Sequence, residues 1–101
     1  MATFQFSNRA LADLESIAAY TIEKWSADQS GRDIAQLQGA TQRLVEMPTL
    51  GRRCNHIRLG LWRLEVASHV LFSRREGDDI LVCRILRYRM LPEYQPIDDS
   101  T

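Results

Sequence analysis

The first half of the chain repeats its apolar residues every three or four positions, which is typical of amphipathic helices. The first stripe consists of Leu11, Leu14, Ala18, Ile22 and Trp25, widened by Ile17. Ser7 or Asn8 can cap its start, since a short side-chain oxygen accepts hydrogen bonds from the free N–H groups of a first turn. We therefore predict a helix of about 17 residues, preceded by a short strand at residues 3–6, where polar and apolar residues alternate.

A second helix is predicted to follow almost without a loop. Residues 26–29 have the S-x-x-Q form of a capping box. Pro48 and Gly51 end the segment, so the two helices form an antiparallel hairpin. Gly31 and Gly39 lie inside the second helix, each at a cost of about 1 kcal/mol relative to alanine. We expect both glycines to serve the close approach of the first helix.

After Leu50 the period of the pattern changes from 3.6 to 2, which indicates strands. Residues 62–66, 70–73 and 80–86 are predicted to form an antiparallel meander, with a tight turn at Gly77. The predicted order is β-α-α-β-β-β, an α+β fold in which a helical hairpin packs on a small antiparallel sheet. We expect residues 1–101 to form a single domain, with residues 92–101 as a flexible acidic tail.

The last predicted strand is apolar on both faces. Strict alternation places Leu81, Cys83 and Ile85 on one face and assigns the other face to Ile80, Val82, Arg84 and Leu86. Two helices can cover only one face of a sheet, and an uncovered apolar face is costly in water. Either the sheet curls over the second face or a partner segment lies on it, and we favour the partner.

The composition is that of a globular protein, with 45% hydrophobic and 26% charged residues among 101. No apolar run is long enough to span a membrane, and no secretion signal precedes Ser7, so we expect a cytoplasmic protein. Cys54 and Cys83 are expected to be reduced thiols, and no spacing of residues suggests a metal or a cofactor. Trp25 and Trp62 are expected in the core, and His69 is expected to have a structural role at a turn.

The net charge of zero conceals an uneven distribution of charge. Residues 51–89 hold nine arginines and four acidic residues, whereas the first fifty residues and the tail are both net acidic. Arginine has a planar fork of donors that suits carboxylates and phosphates. The second half of the chain therefore predicts an acidic partner, either a protein or a nucleic acid.

Four segments in order resemble one known family. They are residues 12–17 with Tyr20, residues 47–52 (Met-Pro-Thr-Leu-Gly-Arg), residues 61–64 with 68–74, and residues 84–90 (Arg-Ile-Leu-Arg-Tyr-Arg-Met). Together they resemble the ParE branch of the RelE/ParE superfamily of toxins from bacterial type II toxin–antitoxin modules. The resemblance covers residues 10–90 and implies the same helical hairpin on a small sheet.

The resemblance also implies a function. ParE-like toxins are described as inhibitors of DNA gyrase, not enzymes, which block replication until a cognate ParD-like antitoxin binds them. That antitoxin wraps the toxin with a flexible, often acidic segment and supplies the DNA contacts of the complex, so this chain would meet DNA only indirectly. We expect such a segment to contact the uncovered face and its arginines: Arg63, Arg74, Ile80, Val82, Arg84 and Leu86. We expect gyrase to contact Arg87, Tyr88, Arg89 and Met90, since Arg, Tyr and Met are enriched in interfaces. Arg87 stands where the family usually has histidine.

Two alternatives remain open. A RelE-like toxin would cleave mRNA on the ribosome and needs cations around the scissile phosphate. In this sequence the position where such a toxin has an arginine on the middle strand falls near Val70, and the position of its arginine beyond the last strand falls near Met90. Lys24 is the only lysine. A DNA-binding regulator acting alone would need a basic recognition helix, and neither predicted helix has a basic face.

Overall fold

The computed structural model describes residues 3–87. Within them seven elements follow one another along the chain: β1 (Phe4–Phe6), α1 (Asn8–Lys24), α2 (Ala27–Glu46), β2 (Arg52–Arg53), β3 (Trp62–Val66), β4 (His69–Glu76) and β5 (Asp79–Arg87). The predicted α+β class and the order of its elements are confirmed. The short strand β2 was not predicted.

The two predicted helix starts are confirmed by their caps. The Ser7 hydroxyl accepts from the Ala10 N–H at 3.0 Å, and the Ser26 hydroxyl accepts from the Gln29 N–H at 3.0 Å. Each bond satisfies one N–H group that the first turn of a helix leaves without a partner. The Ser30 hydroxyl then donates to the Ala18 carbonyl at 3.4 Å, which links the two helices of the hairpin.

The five strands form one sheet in the order β1-β5-β4-β3-β2. The meander β3-β4-β5 is antiparallel, as predicted, and the turn between β4 and β5 contains Gly77 at φ 64°. β1 runs parallel to β5, with Phe4 opposite Ile80, so the sheet is mixed and not purely antiparallel. The helical hairpin is the crossover connection that a parallel pair of strands requires.

The buried face of α1 matches the predicted stripe in part, since Ile17 is buried and Leu14 packs against the core. Ala10, Ile17 and Thr21 are buried, whereas Leu11 and Ile22 within the helix and Trp25 at its C-cap are exposed. The helix is rotated because Asp13, one turn after Ala10, bonds to β5 and so fixes which side faces the sheet. Trp25 is 76% exposed, so its assignment to the core was wrong.

The two helical glycines do not mediate close packing. A Cβ atom on Gly31 would meet nothing within 4 Å, and one on Gly39 would meet only the Arg43 guanidinium at 3.9 Å. The close approach lies instead at Gly51, where an added Cβ would lie 2.7 Å from the Arg63 carbonyl oxygen. Glycine is therefore required where the α2–β2 turn passes the β3 backbone.

A bulge in β5 changes which residues share a face. Phe72 of β4 lies opposite Arg84 and Ser73 lies opposite Val82, so the extra residue is Cys83. As a result Val82 and Ile85 both join the core cluster beneath the helices, and Leu81, Cys83 and Leu86 join a second cluster. The predicted strict alternation along this strand was wrong.

The second apolar face of the sheet is covered by the chain itself. Cys54 and Leu61, at the ends of the β2–β3 connection, are buried with Val70, Phe72 and Leu86 in the second cluster. The connection is held compactly, since the Cys54 N–H donates to the Leu61 carbonyl at 2.7 Å. The expectation of an uncovered face was therefore wrong, because this connection supplies its cover.

Candidate partner-binding surfaces

Arg84 is bound within the chain. Its Nε donates to Asp13 Oδ2 at 2.8 Å and its Nη2 donates to Asp13 Oδ1 at 3.1 Å, with the two side chains 11% and 14% exposed. Asp13 Oδ2 also accepts from the Ile85 N–H at 2.9 Å. β1 pairs with β5 only as far as Val82, so Asp13 satisfies a backbone donor at the edge that β1 leaves open. Arg84 thus has an acidic partner in α1, and its contact with an antitoxin stays a prediction.

The apolar residues expected at the antitoxin surface are buried. Ile80, Val82 and Leu86 are 4%, 0% and 1% exposed. Val82 packs beneath the helices and Leu86 packs in the second cluster. A partner would reach these side chains only after the chain had moved, so their contact with an antitoxin stays a prediction.

Arg63 and Arg74 keep some access to solvent. Arg63 lies over the Phe72 ring at 5.9 Å and 3.5 Å from Glu65, with 19% of its side chain exposed. Arg74 is 39% exposed and pairs with Glu76 at 2.8 Å. If carboxylates of a partner replaced Glu65 and Glu76 beside these arginines, little free energy would be lost, since surface ion pairs contribute about 0–1 kcal/mol.

Arg87 lies at a cleft between the helical hairpin and the β3–β4 turn. Its guanidinium stacks over the Tyr20 ring at 4.1 Å. The cleft has a volume of about 540 Å³, and its walls include Trp25, Asp33 and His69. Arg87 was predicted at a contact surface, but the sequence did not indicate that Tyr20 and Trp25 lie beside it. Trp25 had been assigned to the core, and Tyr20 had been noted only as part of the first family segment. The other three predicted gyrase contacts, Tyr88, Arg89 and Met90, lie outside the described residues, as does the tail 92–101.

His69 begins β4 and is 5% exposed. Burial lowers the pKa of its imidazole below 6.5; the Asp33 carboxylate opposes this shift and the Arg87 guanidinium adds to it. The imidazole is therefore neutral near pH 7 and suits a structural position better than a cationic one.

A stacked arrangement of arginines at the β2–β3 edge was not predicted. Arg53 and Arg75 lie over the Trp62 ring, with their Cζ atoms 5.4 Å and 4.2 Å from its centroid. Trp62 was expected in the core and is instead half-buried, outside both core clusters, with the two guanidinium groups over its ring. The alternation of Trp62 with Arg63 was the only signal in the sequence, and it does not show which arginines meet the ring.

The described part of the chain offers neither a metal centre nor a membrane segment. Within residues 3–87 no group of three His, Cys, Asp or Glu residues is placed to hold a metal ion. Neither of the two helices in these same residues is long and apolar enough to cross a membrane.

A family model describing the ParE toxin of the type II toxin–antitoxin system parDE matches residues 4–92. The chain belongs to the ParE toxin family. Toxin ParE1 of Mycobacterium tuberculosis is 38% identical over 88 residues, which span 86% of this chain and 90% of that protein. Toxin ParE1 of Caulobacter vibrioides is 31% identical over 90 residues, 89% of this chain and 93% of that one.

Solved structures share the fold of this ParE-family chain at low sequence identity. A chain of the chromosomal ParDE toxin–antitoxin system from P. aeruginosa superposes with a TM-score of 0.74 at 18% identity, covering 86% of this chain and 96% of its own. A chain of the RelBE2 toxin–antitoxin complex from Mycobacterium tuberculosis gives 0.62 at 16% identity, covering 84% and 95%. The fold is therefore common to both branches, and it does not by itself assign the target of this ParE-family toxin.

Proposed function

We propose that this chain is a toxin that inhibits DNA gyrase as a binding protein, without catalysing a reaction. The observation that carries the proposal is the match to the ParE family over residues 4–92. The cleft at Arg87 supports it, because arginine, tyrosine and tryptophan dominate the binding energy of interfaces and all three meet there. The proposed gyrase contacts are Arg87 and the three residues that follow it in the sequence, Tyr88, Arg89 and Met90. Since gyrase acts on the chromosome, the toxin works in the cytoplasm.

The middle strand supports inhibition over RNA cleavage. Val70, Leu71 and Phe72 are all fully buried where an mRNA-cleaving relative would need a cation. Phosphodiester cleavage without a metal depends on cations placed around the phosphate. His69, the neighbouring histidine, is buried and its pKa is lowered, so it does not supply one at neutral pH.

A cognate ParD-like antitoxin is the proposed neutralising partner. Arg63 and Arg74 present partly exposed guanidinium groups to it, each within reach of an exchangeable surface glutamate. Arg84 holds α1 against β5 and is assigned a structural role. Any effect of the complex on DNA comes through the antitoxin.

The order in which cellular syntheses stop tests the proposal. The toxin is expressed in growing bacteria while incorporation of labelled thymidine and labelled methionine is followed. Inhibition of gyrase stops thymidine incorporation first, and co-expression of the antitoxin restores it. If methionine incorporation stops first, the toxin acts on translation and the proposal is wrong.

A further inference from the structure

The surface around Trp62 combines two cations with exposed apolar side chains. We define the Trp62 patch as Arg53, Trp62, Arg75 and Leu59, which line one shallow pocket of about 290 Å³ with Asn55 and Gly60. Leu59 is 87% exposed, the most exposed large apolar residue of the described chain. Tryptophan and arginine are enriched in protein-binding interfaces, and Leu59 adds exposed apolar surface beside them.

The two arginines of the patch are held in place without a carboxylate. Arg53 lies directly opposite Trp62 in the β2–β3 register, and its guanidinium lies 5.4 Å from the ring centroid. Arg75 lies 4.2 Å from the same ring, and its Nη2 donates to the Pro48 carbonyl at 2.6 Å. Within residues 3–87 neither arginine has an acidic group within salt-bridge distance.

The neighbouring arginines, in contrast, lie within salt-bridge distance of a carboxylate. Arg52 and Arg63 share Glu65, and Arg74 pairs with Glu76. Within residues 3–87, Glu65 and Glu76 therefore offset part of the positive charge of the arginines around the patch, whereas the two arginines that flank Trp62 have no carboxylate within salt-bridge distance. Stacking restricts both guanidinium groups before any partner arrives, which reduces the entropy lost on binding.

The turn between α2 and β2 extends the apolar part of the surface. It contacts the patch through the hydrogen bond from Arg75 to the Pro48 carbonyl. Gly51 also passes close to Trp62, since a Cβ atom added to it would lie 3.8 Å from the ring. The same turn exposes Met47 by 58% and Leu50 by 39%. Exposed apolar side chains therefore lie both in the pocket of the patch and in the turn that adjoins it.

We propose that the Trp62 patch binds an acidic segment of the neutralising antitoxin, with carboxylates on Arg53 and Arg75 and an apolar side chain against Leu59 and Trp62. The inference rests on the proposed function, since it takes the antitoxin as the partner. Charge complementarity selects this occupant, because guanidinium groups bind carboxylates in bidentate pairs and the patch has no acid to repel them.

Charge reversal at the patch provides the first test. Purified wild-type toxin and the Arg53→Glu/Arg75→Glu variant are titrated with the cognate antitoxin at physiological salt. The variant is expected to raise Kd at least tenfold, and Leu59→Ala several-fold. Arg32→Glu is the matched control, since Arg32 is an exposed arginine of α2 that bonds only to Gln29, and it is expected to change Kd less than twofold.

The outcomes separate the inference from the proposed function. If the wild-type toxin binds the antitoxin and the double variant binds equally well, the patch is not the site and the inference is overturned while the proposed function stands. If the wild-type toxin does not bind the antitoxin, the proposed function fails and the inference fails with it. If the variant loses binding to a fluorescein-labelled single-stranded DNA but keeps the antitoxin, the patch is a nucleic-acid surface and the inference is likewise overturned.

A spectroscopic test avoids charge-reversed variants altogether. The sequence has two tryptophans, so a Trp25→Phe toxin labelled with 5-fluorotryptophan carries a single fluorine probe on Trp62. Trp25 is 76% exposed, so this substitution leaves the core intact. Addition of unlabelled antitoxin is expected to shift the Trp62 resonance. An unshifted resonance in a saturated complex would overturn the inference.

Discussion

Asp13 and Arg84 stand 71 residues apart in the chain and form a bidentate ion pair at 2.8 Å and 3.1 Å. The same carboxylate accepts the Ile85 N–H, so one side chain of α1 holds both a side chain and the backbone of β5. This explains in physical terms why an aspartate belongs in the first family segment. The Asp13 carboxylate sets the rotation of α1 on the sheet. It also accepts a hydrogen bond from the part of β5 that extends beyond β1.

Loss of the Asp13 carboxylate should destabilise the fold. Asp13→Ala leaves Arg84 and the Ile85 N–H without their acceptor, at an expected cost of roughly 2–4 kcal/mol in the free energy of unfolding. Urea denaturation measures it, with Glu15→Ala as a control on an exposed position of the same helix. A double-mutant cycle with Arg84→Met should give a coupling of at least about 1 kcal/mol. A coupling of zero would mean that the pair contributes nothing.

Substitutions of the three loop and helix glycines should have opposite effects. Gly31→Ala and Gly39→Ala meet open space and should each stabilise the protein by roughly 0.5–1 kcal/mol. Gly51→Ala drives a Cβ into the Arg63 carbonyl and should destabilise by about 1–3 kcal/mol. Thermal unfolding measures all three, with Ala35→Gly as the reverse control in α2. Stabilisation by Gly51→Ala would contradict the described path of the α2–β2 turn.

His69 should make the protein less stable in mild acid. Burial lowers its folded pKa below 6.5, so as the pH falls below 6.5 the unfolded chain takes up a proton that the folded chain does not. The free energy of unfolding therefore falls from pH 6.5 down to the folded pKa.

Removal of the His69 imidazole tests the predicted direction of this pH dependence. Unfolding in urea is compared between about pH 7.5 and pH 5.5, and the loss of stability towards acid should be smaller in His69→Gln than in the wild type. His56→Gln is the matched control, since His56 is the other histidine and is exposed in the β2–β3 connection. An unchanged pH dependence in His69→Gln would show that other groups cause it.

The stacking of Arg87 on Tyr20 should matter for action on gyrase. Tyr20→Phe keeps the ring and should inhibit supercoiling as the wild type does. Tyr20→Leu removes the stacking partner 4.1 Å from Arg87 and should inhibit several-fold more weakly. Arg87→Ala should be weaker still, by at least tenfold. If all three variants inhibited supercoiling as strongly as the wild type, this cleft would not be part of the gyrase-binding surface.

Local signals in the sequence predicted the elements well. Ser7 and Ser26 marked the helix starts, and Gly77 marked the last turn, because caps and tight turns depend on a few neighbouring residues. The change of period at Leu50 separated the helices from the strands. The class and the order of the elements therefore followed from the sequence alone.

Tertiary relationships were not available from these patterns. The bulge at Cys83 shifts one register by a single residue, and alternation alone cannot show that a strand contains it. Thr21 faces the core and its hydroxyl is satisfied by the Ile17 carbonyl, whereas the more apolar Ile22 faces solvent. The Trp62 patch brings Arg75 to Arg53 across two strands, which sequence spacing does not indicate.

The most direct test of the central claim is a gyrase supercoiling assay with purified wild-type toxin. A gyrase inhibitor should cause dose-dependent loss of supercoiling that the antitoxin reverses, while mRNA in a parallel ribosome-dependent reaction stays intact. Cleaved mRNA beside fully active gyrase would contradict it and would place this chain among the RNA-cleaving members of the superfamily.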